Sequence, residues 1–250
     1  MRQSNSYVLI FTLIMTIIVG GVLALANQLL MGAQKESIEL DTKSSILKAV
    51  TTVDKKTDVL DLYNKRIKSI VVDINGNEIA KGDKGEPLVA ENVDVSKEFK
   101  KDYKERKYPV FKYMSESNPD QVEAYIVPVY GSGLWDRIWG FVAIKNDLET
   151  IAGVSFAHKG ETPGLGARIS EQDIQSRYVG KSIYNDNGNF VSVTMVKGEA
   201  GGGGESSISA FNDKPNQVDG LSGATLTAKG VNEMVKKYMG YYQKYFRSIK

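Results

Sequence analysis

The sequence predicts an α+β fold: a single N-terminal transmembrane helix, then an antiparallel-leaning sheet flanked by helices. Three observations carry this. Residues 3–34 form a run of 32 without a charged side chain. Between residues 68 and 197, short β-branched and aromatic segments alternate with turns rich in Gly, Asn and Pro. Residues 227–247 repeat apolar side chains at helical spacing.

The N-terminal run comes first. Its centre, residues 8–31, would make a helix of about 36 Å, enough to cross a hydrocarbon core of about 30 Å. Gly20 and Gly21 weaken a soluble helix but are tolerated in a membrane. A cleaved signal peptide is the competing reading, with Ala24-Leu25-Ala26 as its small-residue site. The apolar stretch exceeds the roughly 7–15 residues of an ordinary signal core, which favours an uncleaved anchor over residues 1–34. Arg2 and the α-amine precede the helix, while Lys35, Glu36 and Glu39 nearly cancel after it. The positive-inside bias then puts the N-terminus in the cytoplasm and residues 35–250 outside it.

Residues 35–61 read as a juxtamembrane helix with an incomplete stripe of Ile38, Ile46, Leu47, Val50, Val53 and Leu60. Residues 68–74 read as a strand, and Asn75-Gly76 as a hairpin turn into residues 78–80. Residues 82–87 are a loop, and the charged stretch 93–107 is a helix with a solvated face. Residues 122–130 form a strand whose Pro128 places it at an edge or a bulge. Two more strands follow at 138–145 and 151–158, and the alternation of 189–197 predicts another. The terminal helix buries Val231, Met234, Val235, Tyr238, Tyr241, Tyr242 and Tyr245, with Thr227 as its N-cap.

Composition narrows the chemistry. The 250 residues are 42% apolar and 25% charged, a balance that supports a packed core and excludes disorder over most of the chain. A net charge of +2 gives no global field to hold nucleic acid. With no Cys and one His, disulfide scaffolds, thiolate metal sites, Cys nucleophiles and His-rich metal centres are excluded. His158, with no partner for catalysis in view, reads as a surface or satisfied residue.

Three loops hold more glycine than their lengths require. In the first, Gly131 to Trp135, the indole is either ordinary packing or a flat apolar wall. In the second, 158–166, Pro163-Gly164 fixes a turn and Gly166 permits close backbone approach. The third, 219–227, precedes the terminal helix; it is either an anion site at a helix N-terminus or a polar turn. It carries neither a Walker lysine nor a dinucleotide-binding glycine pattern. The glycine run 201–204 reads as a flexible connector.

Together these residues resemble a known family. Asp219-Gly220-Leu221-Ser222-Gly223-Ala224-Thr225 resembles the flavinylation motif, in which the final Thr carries FMN through a phosphoester. Glu161-Thr162-Pro163-Gly164-Leu165-Gly166 and Gly133-Leu134-Trp135 resemble two further fingerprints of the same family. That family is the C subunit of the sodium-translocating NADH:quinone oxidoreductase. The resemblance implies a membrane anchor at residues 1–34 and an extracytoplasmic FMN-binding domain at 35–250, on the periplasmic side of a bacterial inner membrane.

It also implies an electron relay from NADH toward ubiquinone or menaquinone, with no NADH oxidation by this chain alone. No catalytic acid–base residue and no metal site is implied. The partners are the other subunits of the complex and a Mg²⁺-dependent FAD:protein FMN transferase. By analogy Thr225 carries the flavin, and Leu134, Trp135, Thr162 and Leu165 line its ring. Ser222, Gly223 and Ala224 lie near the phosphate, Lys197 supplies a cation, and Asp219 and Gly220 complete the modification motif. Two alternatives stand beside this: the equivalent G subunit of an Rnf-type ferredoxin:NAD⁺ oxidoreductase, and a tethered extracytoplasmic ligand-binding sensor.

Overall fold

The computed structural model describes residues 4–54, 56–82 and 85–250. Arg2 and Gln3, Lys55 of the predicted juxtamembrane helix, and residues 83–84 of the predicted loop lie outside the described residues. The chain divides into two compact units, one ending at Lys43 and the other spanning Ser44–Lys250.

The first unit is helical. Helix α1, Asn5–Lys48, is unbroken through residue 34 and lends its last residues to the second unit. Its apolar side chains are exposed, among them Leu9, Ile17, Leu23 and Leu29. Length and composition suit a membrane crossing.

In the second unit the predicted helix 35–61 divides. Helix α1 stops at Lys48, and helix α2, Val59–Arg66, starts afresh on Asp58, whose carboxylate accepts the N–H of Asp61. Strand β1, Ile67–Val72, leads into the expected turn, where the Gly76 N–H reaches the Asp73 carbonyl at 3.0 Å. The predicted helix 93–107 shrinks to a single turn, α3, Val95–Glu98. Nor is its whole face solvated: Glu98 is buried and accepts the Lys107 N–H at 2.9 Å.

Strands β2, Tyr108–Met114, β3, Val122–Ser132, β4, Arg137–Lys145, and β5, Ile151–His158, complete a five-stranded sheet in the order β1-β2-β3-β4-β5. Every neighbouring pair in it is antiparallel. Strand β2 escapes sequence reading because Pro109 and Lys112 interrupt its apolar pattern. Pro128 lies in the central strand, not at an edge. The β2–β3 ladder stops at the Phe111–Ile126 pair, two residues short of both Pro109 and Pro128. The missing proline N–H groups therefore cost no bond between these strands.

Both faces of the sheet are covered. Val110, Val127, Val129, Val142 and Ile144 join one core, while Phe111, Ala124, Ile126 and Ala143 join a second with Ile46 and Leu47. The central strands therefore read as apolar runs with weak alternation.

Past β5 the chain makes helix α4, Gln172–Ser176, then strand β6, Thr194–Met195, helix α5, Gly204–Ser209, strand β7, Gln217–Val218, and helix α6, Thr225–Ser248. The strand predicted over 189–197 is reduced to β6, which pairs in parallel with β7. Ser192, at φ 67°, breaks the extended backbone there.

Helix α6 buries Val231, Met234, Val235, Tyr238, Tyr242 and Tyr245 as its periodicity predicts, and Tyr241 is half-buried. Each fully buried apolar side chain contributes roughly 1.5–3 kcal/mol. A Cβ on Gly230 would lie 2.3 Å from the Ser132 carbonyl oxygen, so the helix backbone touches the end of β3. That contact brings the start of α6 beside the β3–β4 hairpin.

Candidate functional site

The loop before α6 is pinned from below. Asp219 is fully buried and accepts N–H groups from Ala200 and Gly201 at 2.8 Å, the Gly220 N–H at 3.0 Å and the Ser207 hydroxyl at 2.5 Å. Burial works against its charge, but these donors, Ser207 first, outweigh it and hold the carboxyl below its ordinary range.

The glycine run 201–204 is therefore not a flexible connector. Gly201 feeds Asp219, the Gly204 N–H reaches Asp173 at 2.8 Å, and α5 begins inside the run. At Gly220 a Cβ would lie 1.9 Å from the Val196 carbonyl oxygen and 2.1 Å from that of Gly198. Only glycine lets these two chain segments meet. Lys197, between Val196 and Gly198 in the chain, is exposed beside the motif.

An ion cluster around the buried Arg177 supports the same loop. Arg177, 1% exposed, donates to the Gly220 carbonyl at 2.8 Å, to Asp173 at 2.8 Å and to Glu199 at 2.7 Å. Arg168 makes two bonds of 2.8 Å to the same Glu199 carboxylate. The Arg168 guanidinium, opposed by burial and aided by Arg177, pushes the Glu199 carboxyl down to about 2. Glu199 also takes the Ser222 N–H at 3.4 Å. The Asp173–Arg177 pair is local, at i,i+4 spacing; the bonds that bring Glu199 in span 22 and 31 positions and leave no mark in the sequence.

Above these supports the motif is open. Ser222, Gly223, Thr225 and Leu226 are exposed, while Ala224 is buried. Gly223 holds φ at 71°, a left-handed conformation that favours glycine. Thr225 is the first residue of α6, and no side chain caps the helix among the described residues. Thr227 is not the N-cap. It lies inside the first turn, buried, and its hydroxyl donates to Glu161 at 2.5 Å. The start of a 24-residue helix is thus left with free N–H groups and a positive dipole end, a setting for an anion.

Glu161 draws the other two loops in. Its carboxylate accepts the Trp135 N–H at 2.9 Å and sits 4% exposed. Burial opposes its charge, but the Thr227 hydroxyl and the N–H groups of residues 134–136 keep the carboxyl below its ordinary value. The Trp135 indole N–H donates to the Thr162 hydroxyl at 3.1 Å. Leu165 faces the motif, since a Cβ on Gly223 would come within 2.8 Å of its Cδ2. Trp135 is 70% exposed, Leu134 45% and Leu165 41%. Trp135 is therefore no core side chain, and these three form an uncovered apolar wall. The hairpin, the 161–166 loop and the motif converge, and the site joins an uncapped helix start to exposed apolar side chains. In the sequence Glu161 opens one of the fingerprints but carries no assigned role, Asp173 and Arg177 show only an i,i+4 spacing, and nothing there singles out Glu199 or Arg168.

Known proteins resemble the chain over nearly its whole length. A profile of the FMN-binding domain family matches residues 133–240, the stretch from the hairpin through most of α6. The C subunit of the Na(+)-translocating NADH-quinone reductase of Haemophilus ducreyi is 32% identical over 247 residues, covering 96% of this chain and 91% of that protein. The C subunit from Pseudomonas aeruginosa is 30% identical, covering 96% and 93%. Among solved structures, the C subunit from Parabacteroides distasonis aligns with a TM-score of 0.70 at 33% identity, covering 87% of this chain and 96% of that one. Shewanella oneidensis NqrC aligns with a TM-score of 0.67 at 25% identity, covering 84% and 97%.

Proposed function

Since the chain belongs to the C-subunit family of the Na⁺-translocating NADH-quinone reductase, we propose that it is a membrane-anchored electron-transfer subunit with FMN on Thr225. It relays electrons from NADH toward ubiquinone or menaquinone within that complex. Thr225 Oγ carries the FMN phosphate as a phosphoester, installed by a Mg²⁺-dependent FAD:protein FMN transferase. The FMN-bearing unit lies on the periplasmic side of a bacterial inner membrane, and the other subunits of the complex are its partners. The relatives' names favour this reading over an Rnf subunit or a sensor.

One observation carries the attachment site: Thr225 is exposed at the uncapped start of α6. Free first-turn N–H groups and the helix dipole suit a phosphate. The exposed Leu134, Trp135 and Leu165 suit an aromatic ring, and the Thr162 hydroxyl fixes the indole among them. Bound FMN supplies the one- and two-electron redox chemistry. The chain's own residues hold and orient it: the helix start takes the phosphate, the apolar wall removes water from one side, and Lys197 offers positive charge beside the motif. An electron relay needs no acid–base pair, which fits a chain whose single His lies on β5.

The test is the assembled complex with and without Thr225→Ala. Quinone reduction should fall at least a hundredfold while NADH oxidation by an artificial acceptor persists. Full quinone reduction by the variant would refute the assignment.

A further inference from the structure

The apolar wall and the helix that begins at Thr225 come from three separate stretches of chain, and one carboxylate touches all three. We propose that Glu161 is a positioning residue: it sets the placement of the Trp135 and Thr162 loops relative to the Thr225 attachment point. The proposal rests on the reading of Thr225 as the FMN site.

The contacts run in both directions from the carboxylate. Glu161 Oε1 accepts the N–H groups of Trp135 at 2.9 Å and Asp136 at 3.5 Å. Glu161 Oε2 accepts the Thr227 hydroxyl at 2.5 Å, two residues beyond Thr225 on the same helix turn. The neighbouring Thr162 takes the Trp135 indole N–H at 3.1 Å. Hairpin, loop and helix are thus tied within one ionised group's reach.

Two glycines make room for it. A Cβ on Gly133 would lie 2.4 Å from Oε1, and one on Gly166 would lie 2.6 Å from Oε2 and 2.5 Å from Thr227 Oγ1. One glycine in each of the two sequence fingerprints, Gly133 and Gly166, is therefore explained by a single carboxylate. Side chains as exposed as Trp135, at 70%, and Leu134, at 45%, gain little orientation from packing. Their direction is set by the turn backbone, which Glu161 ties to the helix, and for Trp135 also by the indole bond to Thr162, the residue next to Glu161. A charge-assisted tie is stronger and more directional than a neutral one.

The test separates positioning from general stability. The chain has two Trp, so a Trp139→Phe background leaves Trp135 as the only indole. In flavin-free protein, time-resolved anisotropy should show at least a twofold rise in Trp135 local motion for Glu161→Gln and Thr227→Val. Thr227→Ser, which keeps the hydroxyl, should match the parent. In flavinylated protein the same two variants should raise flavin emission at least twofold, and Thr227→Ser should not. Lower thermal stability with unchanged anisotropy and emission would overturn the proposal.

A measurement on the wild-type chain stands whether or not the variants fold. The Trp135 amide should exchange hydrogen at least a hundredfold more slowly than in an unstructured peptide, and exchange at the peptide rate would overturn the proposal. Absence of flavin from Thr225 in the wild type would refute the functional reading alone, since the flavin-free arms test the tie by themselves.

Discussion

The Ser207 hydroxyl donates to the buried Asp219 carboxylate at 2.5 Å, joining helix α5 to the first residue of the motif that leads to Thr225. Asp219 thus acts through the backbone it gathers. Its four donors come from residues 200, 201, 207 and 220. Asp219→Asn turns one acceptor into an amide facing N–H donors. The expected loss is about 1–3 kcal/mol of unfolding free energy, read from urea melts. Thr225→Ala, at an exposed position, should stay within about 0.5 kcal/mol of wild type. Equal losses in the two variants would contradict the division of roles between them.

Arg177 should be the more sensitive member of the ion cluster. Its side chain is 1% exposed, and removing it leaves Arg168 to hold Glu199 and Asp173, and the Gly220 carbonyl without its 2.8 Å donor. Arg177→Ala should cost about 3–5 kcal/mol. A loss below about 1 kcal/mol would mean that the cluster does not support the motif.

The same cluster sets an acid limit. The Glu199 carboxyl falls from the ordinary 4.5 to about 2 on folding. A depressed carboxylate stabilises the fold fully above the higher value and loses that contribution as pH falls through the lower one. Stability of the 44–250 unit should therefore decline as pH drops from about 4.5 toward 2. Glu199→Gln should be less stable at neutral pH and show a shallower decline in that window. A decline as steep as the wild type's would assign the acid sensitivity to other carboxylates.

The division of the chain at Lys43 makes a prediction about the anchor. Deleting residues 1–43 should leave a folded domain, because Ile46 and Leu47, both 0% exposed, remain. Within that fragment, Leu47→Ala should cost about 2–5 kcal/mol. Circular dichroism and urea melts check both. Unfolding of the fragment would show that the domain depends on residues before Ser44.

What the sequence revealed followed from local pattern. The uncharged run, the β-branched and aromatic runs of strands β3 to β5 and the helical spacing of the Tyr-rich face of α6 are each contained in one short stretch of chain, so they are legible. Strand β2 was hidden by Pro109 and Lys112, and a full helix over 93–107 had charge alone to support it. The 189–197 alternation matched a strand, but Ser192 at positive φ bends the chain and leaves two paired residues.

The three glycine-rich loops stood out because glycine at those spacings is unusual. The groups that join them did not. Glu161 meets Trp135 and Thr227 across 26 and 66 positions, and Gly201 meets Asp219 across 18. Such pairs leave no periodic trace. The mistaken N-cap at Thr227 has the same origin: its hydroxyl serves a carboxylate from another loop.

The central claim is that Thr225 bears the flavin, and peptide mass mapping tests it most directly. Protein co-expressed with an FAD:protein FMN transferase should yield one peptide heavier by FMN less water, with fragmentation placing the addition on Thr225. Thr225→Ala should abolish it in a protein that still folds. The adduct on Ser222 or Thr227, or no adduct at all, would contradict the account.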